Sequence, residues 1–146
     1  MITADTLQPI TGILHLQAID NQGTELWRMS DHNLIVTGGY KAVAEALAGV
    51  QGASIASVAV GTNGTAPASS DAGITDAAIV EVQSVEFPDP ATVRFNFTIG
   101  YNDANGMAIR EFGLITADGR LFSRKVREAI EKTEAMTIVG QWDIKF

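Results

Sequence analysis

The sequence predicts a mainly β domain, an antiparallel β-sandwich or barrel-like fold with one inserted α-helix at about residues 38–49. Three observations carry that reading. Apolar and polar residues alternate over much of the chain, the period of a strand with one buried face. Turn residues recur at about the 8–12-residue spacing of antiparallel folds. Only one stretch changes to steps of three and four, the period of a helix.

The first element is an N-terminal hairpin over about residues 12–30. Ile13 to Ile19 reads as a strand, Asn21-Gln22-Gly23 supplies the turn, and Thr24 to Met29 returns with Trp27 as its apolar anchor. Asp31-His32-Asn33 reads as a turn. In the helix, Tyr40, Val43, Ala44, Leu47 and Ala48 form the face that should cover the sheet; Thr37 or Gly38-Gly39 caps its start, and Gly49 or Gly52 its end.

An antiparallel core follows over about residues 55–146. Ile55 to Gly61 is a short apolar strand, and the small, polar run after it is an exposed loop. Ile79 to Phe87 is apolar-rich, but its buried positions change parity near Gln83-Ser84, which predicts a β-bulge. Pro88-Asp89-Pro90 turns the chain into Val93, Phe95, Phe97, Ile99 and Tyr101. Asn102 to Gly106 connects to a strand over Met107 to Thr116, and Ala117-Asp118-Gly119 to one over Leu121 to Val126. Met136, Ile138, Trp142, Ile144 and Phe146 make one face of the last strand. With no internal repeat and no linker, residues 1–146 read as one domain of about eight or nine strands.

Composition narrows the function. Seventeen acidic against ten basic residues give a net charge of -7, which repels a duplex or an anionic membrane, so nucleic acid is not an expected partner. The chain has no cysteine, hence no disulfide framework and no thiolate zinc site, as suits a reducing cytoplasm. No apolar run approaches the roughly 20 residues that span a bilayer, and Met1 to Gly12 lack the basic and apolar regions of a secretory signal.

No catalytic constellation stands out, and no metal or cofactor is expected. His15 and His32 lie in different elements, without carboxylates at metal-ligand spacing beyond Asp31. Gly61-Thr62-Asn63-Gly64-Thr65 has the glycines of a phosphate loop but no Lys-Ser or Lys-Thr after it. Glu81 with Glu86, or Asp89 with Asp103, are the available carboxylate pairs, and acidic residues in strands and turns favour water. Arg120, Arg124, Lys125, Arg127 and Lys132, set among Glu128, Glu131 and Glu134, read as a solvated charged face. The remaining candidates form an interface: Thr62, Asn63, Gly64, Thr65, Ala66, Pro67, Ser69, Ser70 and Asp71 offer backbone hydrogen bonds and close approach, with no acid–base or nucleophile dyad. Nothing in that loop reads as an anchor, so it is expected to be mobile when free and removable without loss of stability.

Two stretches resemble small virion proteins and fibre segments of tailed bacteriophages. They are Gly61 to Asp71, similar to a GTGGTAP…D loop after an apolar strand, and Ile109 to Arg124, similar to a REFGLFDADGTLFAR hairpin. Ile130, Glu131 and Lys132 then lead to a last strand carrying Trp142, as in that group. The likeness covers about residues 34–146 and leaves the first 30 outside it. It implies a non-enzymatic tail, baseplate or fibre-adaptor component that contacts other virion proteins, is commonly oligomeric (a trimer by analogy), and is made in the host bacterial cytoplasm. A receptor- or carbohydrate-binding module on the tail is the alternative; exposed aromatics in a groove would favour it, and buried aromatics the structural role.

Overall fold

The computed structural model describes residues 9–146, so Met1 to Gln8, most of the stretch read for a secretory signal, lies outside the described residues. The chain is 55% strand and 8% helix, nine antiparallel strands in one curled half-barrel sheet with a single helix, as the alternation predicts. The elements are β1 (Thr11–Asp20), β2 (Glu25–Ile35), α1 (Thr37–Leu47), β3 (Ile55–Gly61), β4 (Ala78–Glu81), β5 (Ser84–Asp89), β6 (Thr92–Ile99), β7 (Ala108–Thr116), β8 (Leu121–Glu131) and β9 (Met136–Lys145). The sheet order is β4-β3-β7-β8-β2-β1-β9-β6-β5.

Two halves make up this sheet. In one, β1 lies between β2 and β9, and β6 and β5 follow; in the other, β7 lies between β3 and β8, with β4 outside β3. Among the described residues the ladder joining them consists of the Leu34–Arg124 and Ile35–Ser123 pairs of β2 and β8, with Val36 N–H on Phe122 O at 3.1 Å just beyond. Further along, side chains bridge the seam: Lys125 donates to Asp31 (2.6 Å), and Arg127 stacks over Trp27 at 4.8 Å.

The inward positions of both halves enter one core. Leu14, Leu16, Phe97, Ile138 and Trp142 come from the first half, Val58, Val60, Phe112, Leu114 and Ile130 from the second. Their alternation along each strand is the two-residue period read from sequence. Close packing leaves no spare volume at Gly140, where a Cβ would stand 2.1 Å from Phe97 Cζ.

Three expectations about the strands change. The parity slip in residues 79–87 is no bulge: β4 ends at Glu81 and β5 begins at Ser84, at opposite edges of the sheet. Val82 N–H still bonds Ala56 O in one half (3.0 Å), while Gln83 N–H bonds Asn96 O in the other (2.7 Å), so the chain turns a corner between them. Asp31-His32-Asn33 continues β2 rather than turning. The strand starting at Leu121 runs on through the charged stretch to Glu131.

The helix also presents a different face. Gly39 and Ala42 are buried, whereas Leu47 is 90% exposed and Tyr40 46%. The reason is proximity: a Cβ at Gly39 would lie 2.1 Å from Phe122 O, so α1 rests on β8 through its small residues. No side chain caps its start; Val36 is extended there, and Thr37 N–H finds Ser69 O at 2.9 Å. Gly49, at φ +78°, ends the helix as expected. Among the described residues no helix is long and apolar enough to cross a membrane.

Candidate functional site

The interface candidates Thr62 to Asp71 lie in the connection between β3 and β4. Its neck closes where Thr62 N–H meets Thr75 O at 3.2 Å, so residues 62–75 form a compact Ω-loop. Residues 64–70 are exposed, as the polar, small-residue composition suggests.

The expectation that nothing anchors this loop is overturned. Glu111 on β7 and Arg124 on β8 share the outer face of the sheet beneath the loop, at side-chain exposures of 1% and 2%. Glu111 Oε2 accepts the N–H groups of Asn63 (2.7 Å) and Thr75 (3.1 Å), while its Oε1 accepts from Arg124 Nε at 3.0 Å. Arg124 Nη1 donates to Asp71 Oδ2 (2.9 Å), and Nη2 to Asn63 O (3.0 Å). One buried guanidinium thus ties a strand carboxylate, a loop carboxylate and a loop carbonyl, and its planar fork is suited to that task.

Local turns finish the loop. Asn63 Oδ1 accepts Thr65 N–H at 3.0 Å, and Asp71 Oδ2 accepts Ala68 N–H at 2.9 Å. The Ala68 N–H, and then the Arg124 guanidinium, hold the Asp71 carboxyl below its ordinary value. Ile74 is an apolar plug over Gly113, where a Cβ would approach Ile74 Cγ1 to 2.7 Å. At Gly61 a Cβ would meet Thr75 O at 2.4 Å. Both strand glycines are where backbone and loop come closest, and a glycine inside a strand is the signal in the sequence for such an approach.

Arg124 and Lys132 correct the reading of a wholly solvated charged face, since both are almost fully buried. Lys132 Nζ donates to Asn105 Oδ1 (2.9 Å) and Thr133 O (2.8 Å), and burial pushes its pKa below the usual lysine value. The other sites weighed in sequence stay local. Glu86 accepts from Asn96, Asp89 accepts the Ala91 N–H, and Asp103 accepts the Gly100 N–H.

A second polar group was not anticipated. His15, on the outer face of β1, has Nδ1 2.6 Å from Ser30 Oγ and Nε2 3.4 Å from Asp143 Oδ2. The contacts run in the order of a serine–histidine–aspartate relay. The ring is turned the other way from that relay, with Nδ1 on the serine and Nε2 on the aspartate, and Arg94 clamps Asp143 through both oxygens at 2.8 and 3.0 Å. Beside it lies a shallow basin of about 270 Å³ lined by His15, Gln17, Arg28, Ser30 and Gln141 together with the apolar Leu16, Met29 and Val139. Among the described residues no three histidine or acidic groups are placed to hold a metal ion.

Comparison with protein-family models, with curated proteins and with solved structures gives no match for this chain.

Proposed function

We propose that the chain is a non-enzymatic structural component of a tailed-phage virion, a tail, baseplate or fibre-adaptor protein that works through protein–protein contacts. The observation that carries this reading is the Ω-loop over Thr62 to Thr75: a rigid base, buried on Arg124 and Glu111, displays an exposed tip of small residues without an acid–base pair. A surface held in one shape loses less entropy on docking than a mobile one. The phage-like motifs fall on this unit, since Glu111 and Arg124 belong to the hairpin resembling virion proteins and Asn63 and Asp71 to the loop. Trp142 is fully buried and Trp27 half-buried beneath Arg127, so neither tryptophan offers an open sugar platform.

On this reading the protein is made in the host cytoplasm and built into the particle as a homo-oligomer, a trimer by analogy, beside other virion proteins. The test is immunogold labelling of purified particles with peptide mass spectrometry of the same fraction. Labelling at one position on the tail is the expected result. Presence in infected-cell lysate with absence from particles would overturn it.

One feature favours the alternative, a carbohydrate-binding module. The basin of Gln17, Gln141, Arg28 and Ser30 groups planar amide, guanidinium and hydroxyl donors of the kind that bind sugar hydroxyls. Saturable binding on a glycan array, lost in Gln141→Ala, would establish that reading.

A further inference from the structure

A second surface stands apart from the loop. Under the C-terminal half of α1, at the open side of the core, lies a groove of about 500 Å³ between the helix and strands β3, β5, β6 and β9. Its lining is apolar apart from Ser54, and it carries no ionisable side chain. Three rim residues project into solvent: Leu47 is 90% exposed, Phe146 56% and Val85 47%. Phe87, two residues beyond Val85 on β5, is 75% exposed.

We infer that this groove and its rim form a self-association surface that receives a second copy of the same chain. Area is the first argument. The three rim side chains leave open the equivalent of about two whole large side chains, roughly 300–400 Å² at 150–200 Å² each. That equals the largest apolar patches of ordinary monomers and is about half of what each partner buries in a standard interface, before the groove floor is counted.

Charge is the second argument. Two copies, each at net -7, repel one another over most approaches. The groove presents no ionisable side chain, so like-charged copies meet there without desolvating or opposing a charge.

Strand pairing is not the means of contact. β5 is a sheet edge, but the irregularity between Glu86 and Asp89 and the presence of Pro88 blunt it for ladder extension. Contact by side chains is left, with the projecting rim of one copy entering the groove of the other. One such contact pairs two chains, and in a ring each groove takes the rim of the next.

This deepens the proposed function by naming the surface of self-association, but the test needs no particle. Sedimentation velocity of the purified chain from micromolar to hundreds of micromolar, at low and high salt, should show concentration-dependent assembly. Salt should strengthen it, since screening removes repulsion between acidic copies. Leu47→Glu and, separately, Val85→Glu should weaken it by at least about tenfold, with circular dichroism melts of the dilute proteins unchanged. A wild-type monomer at every concentration would overturn the inference, including one whose groove instead binds an aliphatic probe such as dodecanol. Assembly untouched by both variants, or dissolved by salt, would overturn it too. Particle labelling reports on the virion role separately, so either idea can fail without the other.

Discussion

Arg124→Met keeps the aliphatic stem of the buried arginine and removes its guanidinium. Three connections go at once: to Glu111 at 3.0 Å, to Asp71 at 2.9 Å and to the Asn63 carbonyl at 3.0 Å. Glu111 then remains 1% exposed, with only the Asn63 and Thr75 N–H groups against its charge. Removing one partner of a buried ion pair costs about 3–5 kcal/mol, a large share of the roughly 5–15 kcal/mol that holds a domain together. At this chain length that corresponds to a drop of about 10–16 °C in Tm. Urea melts followed by far-ultraviolet circular dichroism, at matched m-value, measure it. Arg124→Lys should recover only part of the loss, because one ammonium cannot reach three acceptors set out for a fork. The double variant Arg124→Met/Glu111→Leu should cost clearly less than the sum of its singles, since no charge is stranded. An Arg124→Met protein within about 1 kcal/mol of wild type would refute the reasoning, because the pair would then be no more than a surface bridge.

Deleting Asn63 to Ser69 takes away an N–H and a carbonyl that hold Glu111 and Arg124, so it should lower the urea midpoint rather than leave it unchanged. Gly140→Ala drives a methyl into the Phe97 ring, 2.1 Å away before relaxation, and should cost about 1–3 kcal/mol in the same melt. Leu47→Ala, at 90% exposure, should change the stability of the dilute chain by no more than about 0.5 kcal/mol. Asp71 has a folded-state pKa below its unfolded value, so its contribution is present above the ordinary aspartate range and fades as pH falls through the folded value. The protection of the Ala68 amide, measured against its intrinsic exchange rate at each pH, should therefore fall in acid, and Asp71→Asn should flatten that dependence.

How much of this was legible in the sequence depends on what each residue answers to. Val58, Phe97, Ile138 and Trp142 lie where alternation places them, because a half-buried strand must repeat every two residues. The period of three and four marks the helix but not its buried face, because period points the large side chains inward whereas α1 approaches β8 through Gly39 and Ala42. The 79–87 run looked like one strand because apolar period alone does not say when a chain leaves one half of the sheet for the other. The loop was correctly seen as exposed. Its anchor was missed, because Glu111 and Arg124 are 13 residues apart and look like ordinary surface charges until Gly61 and Gly113 admit the loop above them. The Ser30–His15–Asp143 contacts depend on register across three strands, which no local pattern encodes.

The pairing of β1 with β9 has a mechanical consequence. Thr11 stands opposite Lys145, so the start of one strand and the end of the other leave the sheet side by side at the same end. Tension applied through those two points would load the outermost hydrogen bonds first and open the pair one rung at a time, as a zip opens. Pulling along the strands would load the whole ladder together. The same ladder therefore yields readily to force at those two points and resists it when the force runs along the strands.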